Sequence, residues 1–353
     1  MADDMPRRVL WWGRFDPDYS RNRILRQAFL DLGWQVSDFI PSISPVAHLQ
    51  ALFTGIKTPD LVWVPAFRQR DVAAATRWAA SRNIPLIFDP LISAYDKQVF
   101  ERKKFSPESP KGHKLRIWES RLLNSAACVI ADTQGHADFF AETFNIAREK
   151  ISVIAVGAEE KLFKPGSSAE PSPSDPFEAL FYGSFIGLQA PHIIVEAAKQ
   201  CSAPIRWTLL GDGPERPGCE ALAEDGNNIN FEPTLPYPQL PDRIRQADLL
   251  LGIFGESDKA ARVIPNKVYQ SLACGKPVVT RSSTAYPGPD TNGLMQIAAG
   301  DPGALAARVT RLYENRAQLP VFGADARAYY DANFSTKSIE LQLKTVVERV
   351  LFQ

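Results

Sequence analysis

A chain of 353 residues is longer than one hydrophobic core comfortably supports and fits two domains of about 150–200 residues each. With 45% hydrophobic and 23% charged residues and a formal net charge of zero, it is globular and has no overall electrostatic pull toward nucleic acid, so any basic feature is local. Cys128, Cys201, Cys219 and Cys274 lack metal-ligand spacing, no apolar leader precedes RVLWW, and no run of about 18 apolar residues occurs. These features lead us to expect a cytoplasmic protein in a reducing compartment, without a membrane span or structural zinc.

In chain order, RVLWWG reads as a strand, RNRILRQAFLDLG as a helix closed by Gly33, and QVSDFI and DLVWVPA as strands. DVAAATRWAASRN follows as a helix and IPLIFDP as the next strand. A basic segment from Lys97 to Arg121 then interleaves Arg102, Lys103, Lys104, Lys111, Lys114 and Arg116 with Phe100, Phe105 and Trp118. It fits either a solvated helix face or a patch for anionic lipid at the inner face of a membrane. ACVIADT, GHADFFAETF and ISVIAVG complete a strand, helix and strand, and the alternation predicts a parallel sheet with crossover helices.

KPGSSAEPSPSDP lacks apolar periodicity and marks a linker. The expected division is a first domain over 1–165, a linker over 166–176 and a second doubly wound α/β domain over 177–335. The terminal stretch 336–353 reads as one amphipathic helix that can pack on either domain. Ligands of open α/β sheets lie beyond the carboxyl ends of the strands, so two Rossmann-like domains facing a central cleft suit a reaction between two substrates.

The stretch ARVIPNKVYQSLACGKPVVT, Ala261 to Thr280, predicts a helix from about Pro265 to Cys274, with Val268, Tyr269, Leu272 and Ala273 on its core face and Lys267, Gln270, Ser271 and Cys274 on the other. A cation in the first turn opposes the helix dipole by about 0.3–1 kcal/mol. Lys267 therefore either snorkels into solvent or, with Arg262, serves an anion bound at the helix N-terminus. Gly183 in YGSF and Gly211 and Gly213 in LLGDGPE fit close backbone approach to a ligand or plain turns. Neither a dinucleotide-binding nor a P-loop glycine pattern is present.

LLGDGPE, ADLLLGIFG and IPNKVYQSLACGKPVV together resemble the nucleotide-sugar half of family-4 glycosyltransferases of the GT-B fold. FDPLISAYD, CVIADTQGHADFF and ISVIAVGAEEKLFKPG resemble the acceptor half. Two departures stand out. Arg262 and Gln270 occupy the places of the family's glutamate pair, and Ser184 and Gln189 those of its usual arginine and lysine.

The resemblance implies transfer of a sugar from a nucleotide diphosphate sugar, a UDP-sugar first, to an acceptor glycan or lipid-linked acceptor in glycoconjugate synthesis, with retention at the anomeric carbon. With the usual cations replaced, Arg262 and Lys267 are expected to supply the charge at the donor diphosphate beside Gly183 and Ser184, and Gly211, Gly213, Asn266 and Gln270 to meet the nucleotide. Beyond the strand ends of the first half, Arg14, Arg21, Asp89 and Tyr95 are expected on the acceptor side. Asp16 and Asp96 are the candidate catalytic bases should the reaction invert. No metal and no other cofactor is expected, and no nucleic-acid partner. A non-catalytic nucleotide-sugar binder and a sugar-nucleotide epimerase are the alternatives.

Overall fold

The computed structural model describes residues 6–166, 176–224 and 228–352. The chain divides into two compact units, 1–156 with 336–353, and 157–335.

In the first unit, β1 (Arg8–Trp12), β2 (Gln35–Phe39), β3 (Leu61–Val64), β4 (Leu86–Phe88), β5 (Cys128–Ala131) and β6 (Ile151–Val153) form one sheet in the order β2-β1-β3-β4-β5-β6. Every pair is parallel. Adjacent tryptophans in β1 serve opposite faces, as strand geometry demands. Trp11 packs with Trp63 and Phe29, and Trp12 with Phe39 and Trp78.

The terminal helix Thr336–Phe352 belongs to this unit. Its buried Ile339, Leu343, Val346 and Val347 share a core with Ile24, Leu25, Ala28 and Phe29 of the helix Ser20–Asp31. The first unit ends earlier than 165. Residues from Gly157 onward pack on the second unit, where the Tyr330 hydroxyl bridges the N–H and C=O of Ala158 and buried Phe163 meets Tyr237. Most of the expected linker, residues 167–175, lies outside the described residues.

The second unit carries β7 (Phe177–Ser184), β8 (Ile205–Asp212), β9 (Ile229–Glu232), β10 (Leu249–Leu251), β11 (Val278–Arg281) and β12 (Leu294–Ile297). All are parallel, in the order β12-β11-β10-β7-β8-β9. The chain runs from β7 outward on one side and later returns to begin the other half at β10. The topological switch point is therefore at the carboxyl ends of β7 and β10. A helix Leu319–Asn333 that the sequence pattern does not announce covers Tyr269 through Phe334.

At the opposite end of β7, Glu178 is buried and accepts from both Arg243 terminal nitrogens at 2.8 Å and from Thr208 at 2.7 Å. Burial alone would raise its pKa, but the Arg243 and Thr208 hydrogen bonds outweigh it and hold the carboxyl below its ordinary value. A depressed folded pKa contributes stability that is complete above the unfolded value of about 4.3 and lost as pH falls through the folded one. Glu178→Gln is expected to lose about 1–2 kcal/mol at pH 7 and to flatten the acid limb of a urea-stability profile.

Candidate functional site

Lys267 occupies the switch point. The helix Asn266–Ala273 is buried from Lys267 through Ala273, so its polar face is enclosed and Lys267 does not snorkel into solvent. Lys267 itself is only 5% exposed. Its Nζ donates to Gln189 Oε1 at 2.8 Å, lies 3.5 Å from the Gly252 carbonyl beyond β10, and stands 3.5 Å from the centre of the Phe181 ring of β7.

Among the described residues no carboxylate pairs with this ammonium, and burial alone drives its pKa well below the ordinary lysine value. An uncompensated cation in a low-dielectric crevice favours either loss of its proton or arrival of an anion. Gln189 brings it there. The Gln189 carbonyl accepts from Phe254 N, which joins the loops after β7 and β10, while its side chain receives Lys267. The ammonium thus lies beside Gly183, where a Cβ would come within 3.0 Å of Nζ.

Around it, Ser184 ends β7 exposed, Asn266 opens the helix exposed, and Arg262 closes the preceding helix Asp258–Arg262 half-buried. Gln270 is buried, and its Oε1 accepts from the Tyr182 hydroxyl at 2.9 Å, which leaves the amide N–H groups as donors. The Tyr182 oxygen also lies 3.2 Å from the Lys267 carbonyl, which holds strand and helix close together.

Gly211 has a structural reason to be glycine. At φ +128°, a Cβ would lie 2.0 Å from the Gly183 carbonyl oxygen of the neighbouring strand. Gly211→Ala is expected to cost about 2–3 kcal/mol in urea unfolding, because backbone must move. Gly213 is similar, packed on the Phe185 backbone.

In the first unit, the structure gives several expected site residues other tasks. Arg21 and Asp89 form a bidentate ion pair at 2.7 and 3.0 Å, each side chain 1% exposed, and Arg21 also donates to the carbonyls of Ile154 and Ala155. The pair ties the helix Ser20–Asp31 to the ends of β4 and β6. Tyr95 is buried against Phe100 and Phe144. Asp16 is exposed, but its Oδ1 accepts from Asp18 N, which is turn chemistry. Asp96 is buried with its N–H on Ser93 Oγ.

Arg14 lines an open cavity of about 900 Å³, with Phe67, Arg70, Lys114 and Trp118 on its walls. Arg68, also on the wall, pairs with buried Asp71, whereas the side chains of Arg14, Arg70 and Lys114 have no carboxylate partner among the described residues. Phe67 holds a left-handed φ of 64° at the rim, the kind of backbone strain that concentrates at functional sites. Sequence reasoning missed Glu119, which is buried in the helix Pro110–Ser125 and accepts from Ser93 Oγ, Ala94 N and Tyr95 N, fixing the segment after β4. It also missed the buried pair of Asp132 and His136 beyond β5. Asp132 directly follows β5 within the ACVIADT run, whereas only the fold brings Glu119 to the segment after β4.

Two parallel α/β units, the second with a buried lysine that has no carboxylate partner among the described residues at its switch point, define a two-domain α/β protein. Residues 12–157 match the model of the glycosyl transferase 4-like domain, and residues 176–315 that of the glycosyl transferases group 1. The chain belongs to the family-4-like glycosyltransferases of the GT-B fold.

It is similar to HepE of Anabaena solved with UDP, at a TM-score of 0.72 and 17% identity over 97% of this chain and 100% of that one. It is also similar to sucrose-phosphate synthase of Thermosynechococcus elongatus, at 0.74 and 16% over 98% and 99%. D-inositol 3-phosphate glycosyltransferase 1 of Catenulispora acidiphila is 24% identical over 59% of this chain and 54% of its own length, so the chain spans about half of that relative.

Proposed function

We propose that the protein transfers a sugar from a UDP-sugar to an acceptor hydroxyl in glycoconjugate synthesis, with retention at the anomeric carbon. The observation that carries this reading is Lys267, a buried ammonium without a carboxylate at the carboxyl ends of β7 and β10. Departure of a nucleoside diphosphate builds negative charge, and preorganised cations in a dry site stabilise it most effectively. Gln189 stands where the family resemblance implies a lysine, and Lys267 arrives from another helix to lie against that glutamine. Arg262, Gly183 and Ser184 complete the diphosphate site in this reading, Asn266 and the Gln270 amide meet the ribose, and no metal takes part.

The acceptor is assigned to the cavity of Arg14, Arg70 and Lys114. Its uncompensated cations suit an acceptor that bears a phosphate, as the name of the inositol-phosphate relatives describes for them, or a lipid-linked acceptor at the face of an anionic membrane. No described helix is long and apolar enough to cross a membrane. Retention is favoured because neither Asp16 nor Asp96 lines the cavity, which leaves a donor phosphate oxygen to accept the hydroxyl proton.

The engagement of Gln270 by Tyr182 favours a second reading, a nucleotide-sugar binder without transfer. Thermal-shift measurements with UDP-, GDP-, ADP- and dTDP-sugars, followed by a donor-hydrolysis assay, separate the two. Stabilisation by UDP-sugars with release of UDP supports transfer, stabilisation without turnover supports the binder, and isomerised donor in the absence of acceptor supports an epimerase.

A further inference from the structure

Residues 40–53 invert the ordinary pattern of a surface segment. Ala47 and Ala51, one helical turn apart, are buried in the first unit's core. Ile40, Ile43, Val46, Leu49 and Leu52 are instead between 45% and 60% exposed, and Phe53 is 89% exposed. Burying one such side chain stabilises a fold by about 1.5–3 kcal/mol, so a segment selected only for stability turns these residues inward.

The outward arrangement is built in rather than loose. Gln50 Oε1 accepts from Ser42 N at 2.9 Å, and Arg77 donates to the Pro45 carbonyl at 3.1 Å. Contiguous apolar surface of this kind marks a protein or membrane contact.

Charge distinguishes the two. No aspartate or glutamate occurs between Asp38 and Asp60. Ser44, in the middle of the segment, lies on the wall of the same cavity as Arg14, Arg70, Lys114 and Trp118. An apolar rim therefore adjoins uncompensated cations. A second copy of this chain would cover the apolar residues and leave the cations unmatched, whereas a bilayer with anionic headgroups offers acyl chains and phosphates at the matching depths.

We propose that residues 40–53 insert into the interface of an anionic phospholipid bilayer, with Arg14, Arg70 and Lys114 meeting its phosphates. This deepens the lipid-linked-acceptor reading and rests on it only for the use made of the bound membrane. It adds an apolar contact at residues 40–53 to the basic segment 97–121, which supplies Lys114.

The test is flotation of the full chain with vesicles of phosphatidylglycerol and phosphatidylcholine in equal parts, and with phosphatidylcholine alone. The chain is expected to float with the mixed vesicles. The double variant Leu49→Ser, Phe53→Ser is expected to float at least about tenfold less, with unchanged Tm and unchanged calorimetric UDP binding, since both side chains are exposed. Phe53→Trp is expected to show quenching by brominated acyl chains beyond that of the wild type.

Flotation unaffected by the double variant, or no added quenching at Trp in the Phe53→Trp variant, overturns the proposal. So does a dimer that Phe53→Ser dissociates without any vesicle binding. Lost UDP binding in the wild type overturns the donor reading and leaves the membrane result standing on its own.

Discussion

Lys267→Met is expected to lower kcat/KM for UDP-sugar by about 10²–10³, the loss typical of one preorganised donor to a developing anion, while Tm stays level or rises. The stability gain follows because the variant removes a buried ammonium with no carboxylate and keeps a side chain of similar length against Phe181. A change that raises stability and removes activity is the signature of a residue held for function at a thermodynamic cost.

The same lysine predicts a proton signal. Its pKa lies well below the ordinary value in the free protein because of burial, and an adjacent diphosphate raises it again. At a pH between those two values, UDP binding takes up a proton. Calorimetric heats in buffers of different ionisation enthalpy should show that uptake in the wild type and none in Lys267→Met.

Arg21→Ala is expected to destabilise the first unit by about 3–5 kcal/mol, read by urea unfolding, because it leaves Asp89 charged, buried and unpaired. Replacing both partners, as Arg21→Met with Asp89→Leu, is expected to recover most of that loss. The assignment has a clear alternative, since sequence reasoning placed both residues beside the acceptor. A variant with wild-type unfolding and a raised acceptor KM would restore that placement.

Where apolar pattern decides structure, the sequence was readable. RVLWW is apolar on both faces and becomes a strand buried on both faces. Glycine and proline bracket the Lys267 helix, which forms within one residue of its expected start and end. What the sequence could not show were contacts between distant positions.

The terminal helix carries a stripe suited to either unit, and only its fit against Leu25 and Phe29 decides between them. The burial of Lys267 depends on Gln189, 78 positions earlier, and the pairing of Arg21 depends on Asp89, 68 positions later. Arg21, Asp89, Tyr95 and Asp96 were chosen because they follow strands, and all four are buried in the fold. Nothing in the sequence of residues 40–53 announces that its alanines face inward and its larger residues outward.

The claim on which the account rests is that Lys267 receives the donor diphosphate. Isothermal titration of UDP into the wild type and into Lys267→Met, at one pH and ionic strength, tests it directly. The account predicts measurable binding by the wild type and a Kd raised by about a hundredfold in the variant, with Tm preserved. Equal Kd values for the two proteins would contradict it.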